Sequence, residues 1–90
     1  MGTITRLVVK QNSDEFSFDD IKLVQTLITN NTNDWQNQGI LKNWGYAVYM
    51  IEFYDTIKAS ELVNFNESCE RNGLKVYKRM RELVRDWAQD

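Results

Sequence analysis

Residues able to do chemistry are few in this chain, and their types limit what it can catalyse. It contains no histidine, which removes His-dependent triads, the commonest general base near neutral pH and the commonest zinc ligand. Cys69 would be a nucleophile without an imidazole partner, and its spacing from Leu62 and Phe65 puts it on an apolar helical stripe, where a thiol behaves as a small core side chain. The glycines Gly2, Gly39, Gly45 and Gly73 are scattered, so no phosphate-cradling loop of the P-loop or dinucleotide kind is present. Glu52 and Asp55 are spaced to serve as an acid/base pair, but two carboxylates at that spacing are most simply solvated surface groups. The clusters Asp14-Glu15 and Asp19-Asp20 lack the alternating ligands and the glycine of a calcium loop. The expectation is a protein that is not an enzyme and takes no cofactor and no metal.

Binding chemistry is better represented. Lys75, Lys78, Arg79, Arg81 and Arg85 form the densest positive stretch, with Glu82 and Asp86 interleaved. On a helix this stretch holds one favourable i,i+4 pair, Lys78 with Glu82, and one unfavourable, Glu82 with Asp86. A solvated helix face is one reading of it and a phosphate-contacting patch is the other. The net charge of −2 argues against a protein that binds polyanions over its whole surface.

The elements that would position these residues follow from periodicity and from local stop signals. Thr3 to Lys10 is rich in β-branched residues and reads as a strand. Ser17 stands three residues before Asp20, a capping-box spacing, with Phe16 and Ile21 at the two staple positions. The helix they open carries Ile21, Val24, Leu27 and Ile28 on one stripe and stops at the polar run 30–34. From Trp35 to Tyr54 the chain is dense in aromatic and β-branched residues and suggests two strands, about 38–43 and 46–54, with Gly39 and Gly45 placed for a turn or bulge. A helix through Leu41, Trp44, Val48 and Ile51 fits a 3.6-residue repeat as well, which keeps an all-α small helical domain open as the alternative fold. Thr56 is placed to cap a second helix with the stripe Ala59, Leu62, Phe65 and Cys69, and Asn72-Gly73 supplies its stop. Residues 74–79 then alternate as a fourth strand, followed by a helix from Met80 with Leu83, Val84 and Trp87 inward. One continuous helix over 74–88 competes with that division.

The order β-α-β-β-α-β with an added C-terminal helix is the ferredoxin-like plan, an α+β fold. Two segments resemble an RNA recognition motif domain: Arg6 to Asn12 followed by Phe16 to Ile21, and Gly45 to Phe53 followed by Asp55 and Ala59. The likeness spans about residues 4–79. It implies base stacking on aromatic side chains of the two central strands, but Val8, Val48 and Met50 stand at those positions. The chain is similar to a degenerate member whose sheet serves another partner.

Alternation assigns the strand faces without reference to any family. With Leu7, Val9, Ala47, Tyr49, Ile51, Phe53, Leu74 and Val76 toward the helices, the other face carries Arg6, Val8, Lys10, Tyr46, Val48, Met50, Tyr54, Lys75, Tyr77 and Arg79, both apolar and basic. Three covers compete for it. The terminal helix could fold back over it, a protein partner or second copy of the chain could dock there, or single-stranded RNA or DNA could bind through phosphate contacts and tyrosine stacking. The leading expectation is a protein-interaction module, homodimeric or of the small inhibitor or immunity type, acting through this face or the basic C-terminal segment. A nucleic-acid binder is the alternative. The chain reads as one domain over residues 1–90. The lone cysteine, the absence of an apolar leader and the absence of a long apolar run point to the cytoplasm and to no membrane role, with the triplets at Asn30 and Asn66 then chance glycosylation matches.

Overall fold

The computed structural model describes residues 2–10, 15–43 and 46–89, with the side chains of 37, 38, 40–43, 46 and 87–89 outside that description. The chain runs β1 (Thr3–Lys10), α1 (Phe18–Thr29), β2 (Trp35–Asn43), β3 (Tyr46–Tyr54), α2 (Ala59–Arg71), β4 (Leu74–Tyr77) and α3 (Met80–Gln89). It is an α+β fold with one four-stranded sheet in the order β2-β3-β1-β4, every pairing antiparallel. Residues 46–54 are therefore a strand, and the all-α alternative does not hold. Residues 74–89 divide into a strand and a helix rather than forming one helix.

Local chemistry explains where the helices begin and end. At α1 the Ser17 hydroxyl accepts the Asp20 N–H at 3.1 Å and Asp20 Oδ2 accepts the Ser17 N–H at 2.9 Å, completing the capping box expected from the spacing. Phe16 is buried and Ile21 packs against the same cluster, as staple residues do. Beyond the helix, Asn31 donates to the Leu27 carbonyl and the buried Thr32 hydroxyl accepts the Asp34 N–H, so the polar run 30–34 satisfies the orphaned groups of the helix end. The start of α2 lies later than Thr56 suggested. Lys58 occupies the cap position, its N–H donates to Glu61 Oε1 at 2.9 Å, and Ile57 is buried just before it. A lysine side chain has no acceptor, so the reciprocal bond from Glu61 does the capping here. Gly73 ends α2 at φ +76°, the left-handed conformation glycine takes without steric cost.

β2 begins at Trp35, three residues before the expected boundary, and its register against β3 shifts between Asn37 and Ile40. Gly39, at φ +89°, sits in that irregularity, at a position where the sequence suggests a turn or a bulge. Trp44 and Gly45, the other expected turn position, lie outside the described residues.

Helices α1 and α2 cover one face of the sheet. Val24 and Ile28 from α1 and Phe65 and Cys69 from α2 close over Val8, Ala47, Tyr49, Ile51, Phe53 and Leu74. A second, separate cluster occupies the opposite face, where Leu83 of α3 meets Leu7, Val9, Val48 and Tyr77, with Met50 and Met80 at its margin.

The strand β1 is thus out of phase with the sequence expectation. Val8 pairs with Tyr49 and Val76 and faces α1 and α2, whereas Leu7 and Val9 face α3. Arg6 and Lys10 share the phase of Val8, and Lys10 Nζ reaches Asp20 of α1 at 3.2 Å. Leu7-Val8-Val9 is a continuous apolar run because β1 lies at the sheet centre with both faces covered. Such a run carries no alternation from which a phase can be taken.

Candidate functional site

Apart from Lys75 and Arg79, which lie beside α3, the residues assigned to the free sheet face divide into three groups in the structure. Val8, Arg6 and Lys10 belong by register to the face beneath α1 and α2, for the reason just given. Val48, Met50 and Tyr77 do lie on the opposite face, but α3 covers them: Val48 is 0% exposed, Tyr77 8% exposed and Met50 half-buried. Tyr54, at 40% exposure, is open at the end of β3, and Tyr46 pairs through its backbone with Asn43, its side chain lying outside the described residues. An uncovered apolar platform centred on Val48 is therefore not what the fold presents.

What α3 presents instead is charge. Its amphipathic pattern puts Leu83 inward, fully buried, with Met80 and Val84 half-buried. Trp87, expected inward, has its side chain outside the described residues. Lys78 and Arg79 in the connection and Arg81 and Arg85 on the helix are all exposed. Arg79 stands at the start of α3, where its carbonyl accepts the N–H groups of Glu82 and Leu83. The two acidic residues of the stretch turn away from this cationic side. Glu82 accepts the Lys78 backbone N–H at 3.4 Å, in place of the expected ion pair with the Lys78 side chain.

Asp86 is the polar anchor between α3 and the sheet. Its Oδ2 accepts the Tyr77 hydroxyl at 2.8 Å and Lys75 Nζ at 2.9 Å, and the Lys75 ammonium also lies 5.3 Å from the centre of the Tyr77 ring. The hydrogen bonds from Lys75 and then Tyr77 hold the Asp86 carboxyl below the ordinary carboxylate range. The bond to Asp86 raises the Lys75 ammonium, while burial, aided by the same carboxylate, raises the Tyr77 phenol. These three side chains come from β4 and α3, and their meeting is not foreshadowed in the sequence. Lys75 and Tyr77 alternate on one strand face while Asp86 lies nine residues further on, a separation that only the β4–α3 turn converts into contact.

The remaining candidates are accounted for locally. Burial pushes the Cys69 thiol up to about 12, so at neutral pH it stays protonated and inert as a nucleophile. Asp55 Oδ2 accepts the Gly2 N–H at 3.1 Å and the Asp55 N–H returns to the Gly2 carbonyl, tying the start of β1 to the end of β3. Burial pushes the Asp20 carboxyl up, but hydrogen bonds from the Ser17 backbone and hydroxyl and from Lys10 outweigh it and leave the group below its ordinary value. The Arg6 guanidinium is shifted down by its own burial, against the attraction of Glu82, and its Nε has no hydrogen-bond partner. No helix among the described residues is long and apolar enough to cross a membrane. Comparison with protein-family models, with curated proteins and with solved structures returns no match.

Proposed function

We propose that the protein is a non-catalytic interaction module that engages an acidic surface of a protein partner through the cationic side of the β4–α3 segment. The observation that carries this reading is the way α3 sorts its charges. Lys78, Arg79, Arg81 and Arg85 project outward, while Glu82 and Asp86 are spent on Lys78, Lys75 and Tyr77. A chain of net charge −2 thereby offers one concentrated positive patch, which steers an acidic partner and sets the register of docking. The strand order 2-3-1-4 with α1 and α2 on one face supports a ferredoxin-like plan, and the resemblance to an RNA recognition motif remains a reading of β1 and β3 alone.

Nucleic acid is the second reading, and the geometry favours it less. Stacking on single strands needs open aromatic faces beside the cations. Tyr77 is buried and bound to Asp86, whereas Tyr54 lies at the far end of β3 from the strand's pairing with Leu7 and Val9. Affinity capture with nuclease treatment, comparing the wild type with Arg81→Glu/Arg85→Glu, separates the readings. A protein retained after nuclease and lost with the charge reversal supports the proposal. Capture abolished by nuclease favours nucleic acid, and capture indifferent to the reversal overturns the cationic surface. A molar-mass measurement tests the homodimer in the same experiment.

A further inference from the structure

We infer that α3 is a detachable strap, which leaves the sheet as a unit while the strands, α1 and α2 remain folded, and thereby uncovers a patch centred on Leu7, Val9 and Val48. The two hydrophobic clusters share no residue. Among the described side chains, the second cluster takes Leu83 and Met80 from α3, and its other members are held in place by strand pairing and by the core on the opposite face. All four strands precede α3 in the chain. Withdrawing α3 separates no two strands of the sheet in the chain, whereas α1 and α2 each connect two of them, β1 to β2 and β3 to β4. Elements of this kind, with few buried apolar contacts, open at free energies below that of global unfolding.

The polar attachment has the same character. Asp86 accepts the hydrogen bonds from Tyr77 and Lys75, and its side chain is 39% exposed, so water competes for both as soon as the helix lifts, while Glu82 adds an electrostatic attraction to Arg6 of β1. The hinge is the two-residue connection Lys78-Arg79, which is already exposed and carries no described side-chain contact with α1 or α2. In the closed state the molecule shows cations over the sheet. In the open state it shows an apolar surface with Lys75 at its edge. This holds whatever the cationic patch binds.

Residue-resolved native-state hydrogen exchange on the whole chain tests it. Amides of the helix interior from Val84 to Trp87 are expected to exchange at least ~10-fold faster than those of β1 and β3, with a weaker dependence on denaturant. Asp86→Ala should raise exchange in α3 by about 3- to 10-fold while leaving β1 and β3 unchanged. Leu83→Asp should keep the sheet, α1 and α2 folded, with chemical-shift changes confined to α3 and to the side chains of Leu7, Val9, Val48, Met50 and Tyr77. The inference is overturned if α3 exchanges in step with β1 and β3, if Asp86→Ala accelerates all of them alike, or if Leu83→Asp unfolds the chain.

Discussion

Beneath α1 and α2 the sheet buries Val8, Ala47, Tyr49, Ile51, Phe53 and Leu74, and edge-on ring contacts lock the layer: Phe16 with Tyr49 at 5.7 Å and Phe53 with Phe65 at 5.5 Å. Beneath α3 it buries Leu7, Val9, Val48 and Tyr77, with the fully buried Leu83 against them among the described side chains, and the Asp86 carboxylate ties Tyr77 to the helix. Both faces of the central strand are apolar, so hydrophobicity alone does not distinguish them. The difference lies in how the covering helices are joined to the sheet: α1 and α2 each connect two of its strands, and α3 follows β4 through a two-residue connection. Stability is therefore expected to concentrate on the first side and adjustability on the second.

Truncating the aromatic centre of the stronger side should have the largest effect. Phe65→Ala is expected to lower global stability by about 3–5 kcal/mol, read from denaturant unfolding. Exchange in the strands and in α1 and α2 should rise together, while α3, which opens on its own, changes little. If only α2 responded, the first side would be no more cooperative than the second, and the contrast would collapse. Ser17→Ala removes the α1 cap and should cost about 1 kcal/mol, again felt globally because α1 is part of the main core. Tyr77→Phe keeps the ring in the second cluster and deletes only the hydroxyl's bond to Asp86. It should cost at most about 1 kcal/mol, with faster exchange limited to α3.

The smallest effect is one of pH, and its sign differs between the groups. Asp86 is depressed in the folded state, so its contribution is present above the ordinary carboxylate range and is lost as pH falls through its folded value. Lys75 and Tyr77 are raised, so theirs is present below their ordinary values and is lost as pH rises through the folded ones. Protection factors in α3 should accordingly fall at both acid and strongly alkaline extremes. Asp86→Asn should abolish the part of the acid response that belongs to α3, leaving the part that Asp20 contributes through the depressed carboxyl of the α1 capping box. An acid response in α3 unchanged by that substitution would remove Asp86 from its anchoring role.

Several features of the fold are legible in the sequence because they depend on neighbours. The Ser17–Asp20 box, the Gly73 stop and the bulge at Gly39 are each set within a few residues, and the structure places them where spacing does. In residues 46–54 only Glu52 breaks an apolar run, and the structure puts Tyr49, Ile51 and Phe53 beneath α1 and α2 with Val48 and Met50 opposite, the phase expected from the sequence. The phase of β1 is not legible, because three consecutive apolar residues at the middle of a doubly covered sheet look alike from either side. The interaction face suffers from the same error: Val8, Arg6 and Lys10 are misplaced by one residue of register, and the burial of Val48 depends on a helix thirty-two residues further along, counted from Met80. The meeting of Lys75, Tyr77 and Asp86 is legible only once the turn between β4 and α3 is known. The cationic run itself, by contrast, needs no fold to be seen.

Cys69 gives this molecule a built-in clock. It is the chain's single thiol, it sits with no exposed surface among Phe65, Leu74 and the strand residues of the main core, and burial suppresses its ionisation. A thiol-modifying reagent can reach it only when that layer parts, so the rate of labelling counts openings of one side of the sheet and is blind to the comings and goings of the helix on the other.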